Sequence, residues 1–143
     1  VDGNPTVVVD YAHTADALQT ALKALRPQVK GALWVVFGCG GNRDVGKRAA
    51  MGKVSHELAD HAVVTDDNPR NEDAATIRQQ VMKACPNARN IGDREEAIAY
   101  ALKSAKPEDT VLVAGKGHET GQIVRDKTHP FDDREVAKKM MGA

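Results

Sequence analysis

Short apolar runs alternate with helical patterns along the whole chain, and this alternation restricts the fold more than any other feature. TVVVDYA (6–12), ALWVVFG (32–38), HAVVTD (61–66), a short stretch at 88–91 and DTVLVAG (109–115) read as strands. Apolar residues at helical spacing follow over 14–25, 46–59, 72–85 and 93–105. Strands that are apolar on both faces and separated by helices predict a mostly parallel sheet covered on both sides, the doubly wound α/β architecture. The segment 121–133 departs from the alternation and predicts one more strand, antiparallel at the sheet edge because its connection is short. A last helix then starts near Pro130 and Asp132 or Asp133. At 143 residues, with no linker, repeat or low-complexity stretch, residues 1–143 form one domain able to bury a continuous core.

Composition narrows the partners. Twenty Lys and Arg balance twenty Asp and Glu, which gives no electrostatic case for nucleic acid or a membrane surface, and no apolar stretch approaches the ~20 residues of a membrane span. Cys39 and Cys85 form no CxxC and no cysteine–histidine cluster, so neither a disulfide framework nor a zinc site is expected and a reducing cytoplasm fits. The chain opens without Met or secretory pattern and enters a strand almost at once, the expected start of a domain cut from a longer polypeptide.

In an open parallel sheet, ligands bind beyond the carboxyl ends of the strands. Four loops meet that description: Asp10-Tyr-Ala-His13-Thr14, Gly38-Cys-Gly-Gly-Asn-Arg43-Asp44, Asp66-Asp67-Asn68-Pro69-Arg70 and Gly115-Lys-Gly-His-Glu119. Each feature alone has a plain structural reading: glycines serving a turn, Asn68-Pro69 as a turn dipeptide, histidines bonded within loops, arginines and Glu119 as solvated charges. Four successive strand ends carrying hydrogen-bonding groups exceed what turns and helix caps require, and together they point to a ligand site. Arginine forks match carboxylates and a glutamate matches an ammonium, so Arg43, Asn68, Arg70 and Glu119 suit a zwitterionic amino acid better than a phosphate. Asp10 and His13 suit nucleotide hydroxyls or phosphate. The run from Gly41 to Lys47 imitates a Walker A loop, but Arg48 stands where a Ser or Thr would hold magnesium, so this is not a phosphate loop of that kind.

DYAHT, GCGGNRDVGKR, DDNPR and GKGHE, in this order, resemble the C-terminal domain of the Mur ligases, and within them the members that add meso-diaminopimelate; the resemblance spans essentially the entire chain. It implies a Rossmann-like third domain of a three-domain cytoplasmic ligase of peptidoglycan synthesis. Such an enzyme uses ATP and Mg2+ to activate the D-glutamate carboxylate of the UDP-muramoyl dipeptide, which the amine of the incoming amino acid then attacks. The resemblance further implies that Arg43, Asn68, Arg70, Gly115 and Glu119 hold diaminopimelate and that Asp10 and His13 face ATP across a cleft. The phosphate loop and metal ligands would lie in a central domain, leaving no catalytic group and no metal ligand here and an isolated domain that is inactive. The family usually has Pro after DYAHT; this chain has Ala15.

Three other readings compete. A free-standing nucleotide-binding module would be expected to show G-x-G-x-x-G after the first strand, and does not. A hydrolase fails for want of a G-x-S-x-G elbow, with Ser55 and Ser104 inside predicted helices. A related ligase adding L-lysine or glutamate remains; Arg70 opposes lysine, which has no distal carboxylate.

Overall fold

In a computed structural model, residues 5–10, 12, 14–39, 45–69, 71–115, 121–124, 127–130 and 133–140 are described. Strands β1 (Thr6–Asp10), β2 (Leu33–Phe37), β3 (His61–Val64), β4 (Arg89–Asn90) and β5 (Thr110–Ala114) form one parallel sheet in the order β1-β5-β2-β3-β4. Between them run α1 (Ala15–Leu25), α2 (Val45–Leu58), α3 (Ala74–Met82) and α4 (Arg94–Ser104). The hairpin β6 (Gly121–Val124) and β7 (Lys127–Pro130) precedes α5 (Asp133–Met140).

The strand order explains which face each helix covers. Connections through α1, α2 and α3 advance across the sheet in one direction, and right-handed crossovers put all three on one face. The chain then turns back from β4 at the edge to β5 between β1 and β2, so α4 falls on the other face. The core divides accordingly. Leu18, Leu22, Met51, Ile77 and Val81 pack on Leu33, Val35, Phe37, Val64 and Leu112; Ala97, Ile98, Ala101, Leu102 and Ala137 pack on Trp34, Val36, Val63, Val111 and Val113. Alternate residues of β2 serve opposite cores, as the period-2 pleat requires, and β2 and β5 are buried throughout.

The antiparallel strand expected at the sheet edge is not seen there. Among the described residues every pairing in the sheet is parallel, and the antiparallel pairing belongs to a separate two-stranded hairpin, Gly121 opposite Pro130 through Val124 opposite Lys127. With only residues 125–126 between them, β6 and β7 meet at a smaller cost in chain entropy than either would incur in reaching an edge of the sheet.

Candidate functional site on the carboxyl edge of the sheet

Three of the residues singled out from sequence fall among those described, and all three stand on the carboxyl edge. Asp10 ends β1, half-buried; Asn68 lies buried in the loop after β3; Gly115 follows β5 directly. His13, Arg43, Arg70 and Glu119 lie outside the described residues. The Gly115 N–H donates to the Asp10 carbonyl at 3.1 Å, which ties the first and last of these strand ends together. Its φ of +117° is a conformation that favours glycine.

The loop after β3 folds back over the end of β2. A Cβ on Gly38 would stand 2.3 Å from the Thr65 carbonyl oxygen, so only glycine permits this approach. The fold-back carries Asp67 across β2 toward β5: an Asp67 carboxylate oxygen lies 3.9 Å from where a Cβ on Gly115 would be. Two strand ends that share no ladder bonds therefore face each other over the end of β2.

Three arginines brace this loop. Arg94, fully buried, donates Nη1 to the Asp66 carbonyl and Nη2 to the Ala114 carbonyl, each at 3.0 Å, and forks onto both carboxylate oxygens of Asp133 at 2.7 Å. Arg78 pairs with the Asp66 carboxylate and, through Nε, with Asn90 at 2.7 Å. Arg48 reaches Glu72 at 2.8 Å and Gln80 at 2.7 Å. Arg48 is thus a buried brace between α2 and α3, which accounts for the residue that breaks the Walker A pattern. Burial pushes the Asp66 carboxyl above its ordinary range despite the opposing Arg78.

Arg94 and Asp133 were missed by sequence reasoning, which saw them only as helix residues. One signal was available: a cation in the first turn of α4 opposes the helix dipole and needs an external anion. Cys39, two residues beyond β2, is buried, the opposite of the setting that activates a thiol. Burial, reinforced by Asp67, pushes its thiol up to about 12, and its Sγ–H lies 3.5 Å from Met51 Sδ. The helix start after β1 does not need the family's proline, because Thr14 accepts from the Ala17 N–H at 3.1 Å.

A cavity of about 320 Å3 lies at the opposite, amino edge of the sheet, among Trp34, Ser55, His61, Arg89 and Tyr100. It gathers none of the residues of the four loops, and ligand chemistry in parallel α/β sheets belongs to the carboxyl edge, so we place the candidate site there and not in this cavity.

Comparison with known proteins bears on the fold and the family. Residues 1–117 match the family model described as Mur ligase, glutamate ligase domain. The chain is 60% identical over 137 residues to the UDP-N-acetylmuramoyl-L-alanyl-D-glutamate--2,6-diaminopimelate ligase of Zymomonas mobilis, covering 93% of this chain and 28% of that protein. A solved structure of a ligase of the same name superposes with a TM-score of 0.91 at 41% identity, over 95% of this chain and 29% of that one. A bifunctional folylpolyglutamate synthase/dihydrofolate synthase from Yersinia pestis, at 23% identity and a TM-score of 0.63 over 95% of this chain and 28% of that one, shares the fold. The chain spans a little over a quarter of the length of these relatives. By family model, sequence and fold together, the chain belongs to the Mur ligase family, as its glutamate ligase domain.

Proposed function

We propose that this chain is the C-terminal, amino-acid-binding domain of an ATP-dependent ligase that adds meso-diaminopimelate to UDP-N-acetylmuramoyl-L-alanyl-D-glutamate in peptidoglycan synthesis. The observation that carries the reading is 60% identity, over nearly the whole chain, to a ligase of that name. The carboxyl-edge placement of Asp10, Asn68 and Gly115 supports it.

In the proposed reaction ATP transfers its γ-phosphoryl group to the D-glutamate γ-carboxylate, with release of ADP. The amine of diaminopimelate then attacks that carbonyl, the tetrahedral adduct expels phosphate, the amine loses a proton, and an amide remains. The attacking group belongs to the substrate, so this domain contributes position and charge rather than a nucleophile. Arg70 pairs with the distal carboxylate of diaminopimelate, Glu119 with its ammonium, and Arg43, Asn68 and Gly115 complete the cradle. Asp10 and His13 face the nucleotide. Magnesium, when bound, neutralises phosphate charge; the reading assigns its ligands to a central domain of the same cytoplasmic enzyme.

Two measurements test this. The longer polypeptide carrying this chain forms the tripeptide product from diaminopimelate, ATP and the UDP-muramoyl dipeptide; equal turnover with L-lysine or glutamate would reassign the substrate. The 143-residue chain alone releases no phosphate from ATP under the same conditions, and release would overturn its assignment as a non-catalytic part.

A further inference from the structure

Arg94 occupies an unusual position for a cation. It is the first residue of α4, where the helix dipole opposes positive charge, and its side chain is fully buried. The Asp133 carboxylate, at the first residue of α5, supplies the missing anion and by its two-point contact fixes the plane of the guanidinium. With that plane fixed, the outward donors can meet acceptors only at set places, and they meet the carbonyls of Asp66 and Ala114. These two residues stand immediately before Asp67-Asn68-Pro69-Arg70 and Gly115-Lys-Gly-His-Glu119.

The strands that lead into these loops are not neighbours. β2 lies between β3 and β5, so no ladder bond sets the separation of their ends. The planar fork of one guanidinium spans that gap instead, at 3.0 Å on each side. A lysine ammonium could not do so while also meeting both Asp133 oxygens, since it is a point charge without a fixed fork.

We infer that Arg94, oriented by Asp133, is a positioning residue that sets the separation of the β3 and β5 ends from which the two substrate-binding loops spring, and so selects the incoming amino acid by the spacing of the groups those loops hold. The inference rests on the function proposed above. It adds to the loop residues a buried device that touches no substrate.

The test uses the full ligase with Arg94→Lys, Asp133→Asn and Asp133→Glu, the last keeping the charge but displacing the carboxylate by one methylene. Each variant should raise the KM for diaminopimelate about tenfold or more while kcat and the KM values for ATP and the UDP-muramoyl dipeptide stay within about threefold. Discrimination between meso-diaminopimelate and L-lysine should fall in the same variants. Folded variants with an unchanged KM for diaminopimelate, or with equal losses for all three substrates, would overturn the inference. Failure of all three variants to fold would assign the pair to the fold alone and overturn it as well. An unmutated ligase that does not use diaminopimelate would instead overturn the proposed function, so the two failures are distinct.

Discussion

Two glycines on the carboxyl edge are required for different reasons, and the difference can be measured. At Gly115 an added Cβ would find its nearest neighbours among the described residues at 3.8 and 3.9 Å, ordinary contact, so the expected cost of Gly115→Ala is that of the strained φ, about 1–3 kcal/mol by urea unfolding. At Gly38 the Cβ would overlap the Thr65 carbonyl, and the loop after β3 must move to admit it. Binding of the amino acid is a separate matter from stability. If Arg70 pairs with the distal carboxylate of diaminopimelate, Arg70→Ala in the full ligase leaves that carboxylate unpartnered, a loss of roughly 2–5 kcal/mol or about thirtyfold to several thousandfold in affinity. The KM for diaminopimelate should rise steeply and that for ATP little, with Arg70→Lys restoring only part; an unchanged KM would make Arg70 a surface charge. Of this residue-scale chemistry the sequence displayed the loop residues, because they stand in short motifs at strand ends. It concealed the braces. Arg48, Arg78 and Arg94 sit inside helical patterns that read as solvated faces, and only their partners, Glu72, Asp66 and Asp133, reveal what they do.

The helices and the strands of the parallel sheet were legible in the sequence to within a few residues, and their discrepancies have local causes; the segment read as one edge strand over 121–133 is instead the hairpin β6–β7. α3 begins at Ala74 and not at 72 because Asp73, extended at φ −73° and ψ 119°, takes the position before the helix. It ends near Met82 because Pro86 bars Cys85 from helical backbone. Helix starts offer a direct improvement. Thr14 is extended, at φ −126° and ψ 160°, the conformation a residue before proline must adopt, and Ala15 is the first helical residue. Ala15→Pro should therefore raise stability by about 0.4–1 kcal/mol in chemical denaturation, chiefly by restricting the unfolded chain. Strand starts depend on Asp109, whose carboxylate accepts from the Ala32 and Lys106 N–H groups at 2.8 and 2.9 Å and from Trp34 Nε1 at 3.1 Å. Burial pushes its pKa up, but these three donors together hold it below the ordinary value. A carboxyl held low in the folded state stabilises fully above its unfolded pKa of about 3.9 and loses that contribution as pH falls through the folded value. Asp60, held low by Arg26, has the same sign; Asp66, pushed up by burial, has the opposite. Asp109→Asn should lower the melting temperature at pH 7, and its gap from the unmutated protein should narrow as pH drops below about 4 and through the lower folded value. A gap constant over that range would show that shape and not charge supplies the contribution.

For the molecule as a whole, the sheet is closed on both faces by its own helices, so the 143-residue chain should unfold in one cooperative transition by circular dichroism, without partner domains. A gradual loss of helix signal would overturn that expectation. The fold class was legible because continuous apolar runs mark strands buried on both faces. Strand order was not, since β1, β2 and β5 are alike in composition and nothing local states which two are neighbours. The same order has a consequence for how the chain assembles. β2, β3 and β4 pair in sequence and can associate while later residues are still being made, whereas β1 has, among the described residues, one neighbour in the sheet, β5, with Thr6 opposite Thr110. The first strand of this sheet to be made must therefore wait for the last, and closing so long a loop is the slow kind of contact in folding. Until Thr110–Ala114 inserts between them, β1 and β2 each present an open apolar edge of the sort that recruits a foreign strand, so β5 also seals the nascent chain against aggregation there.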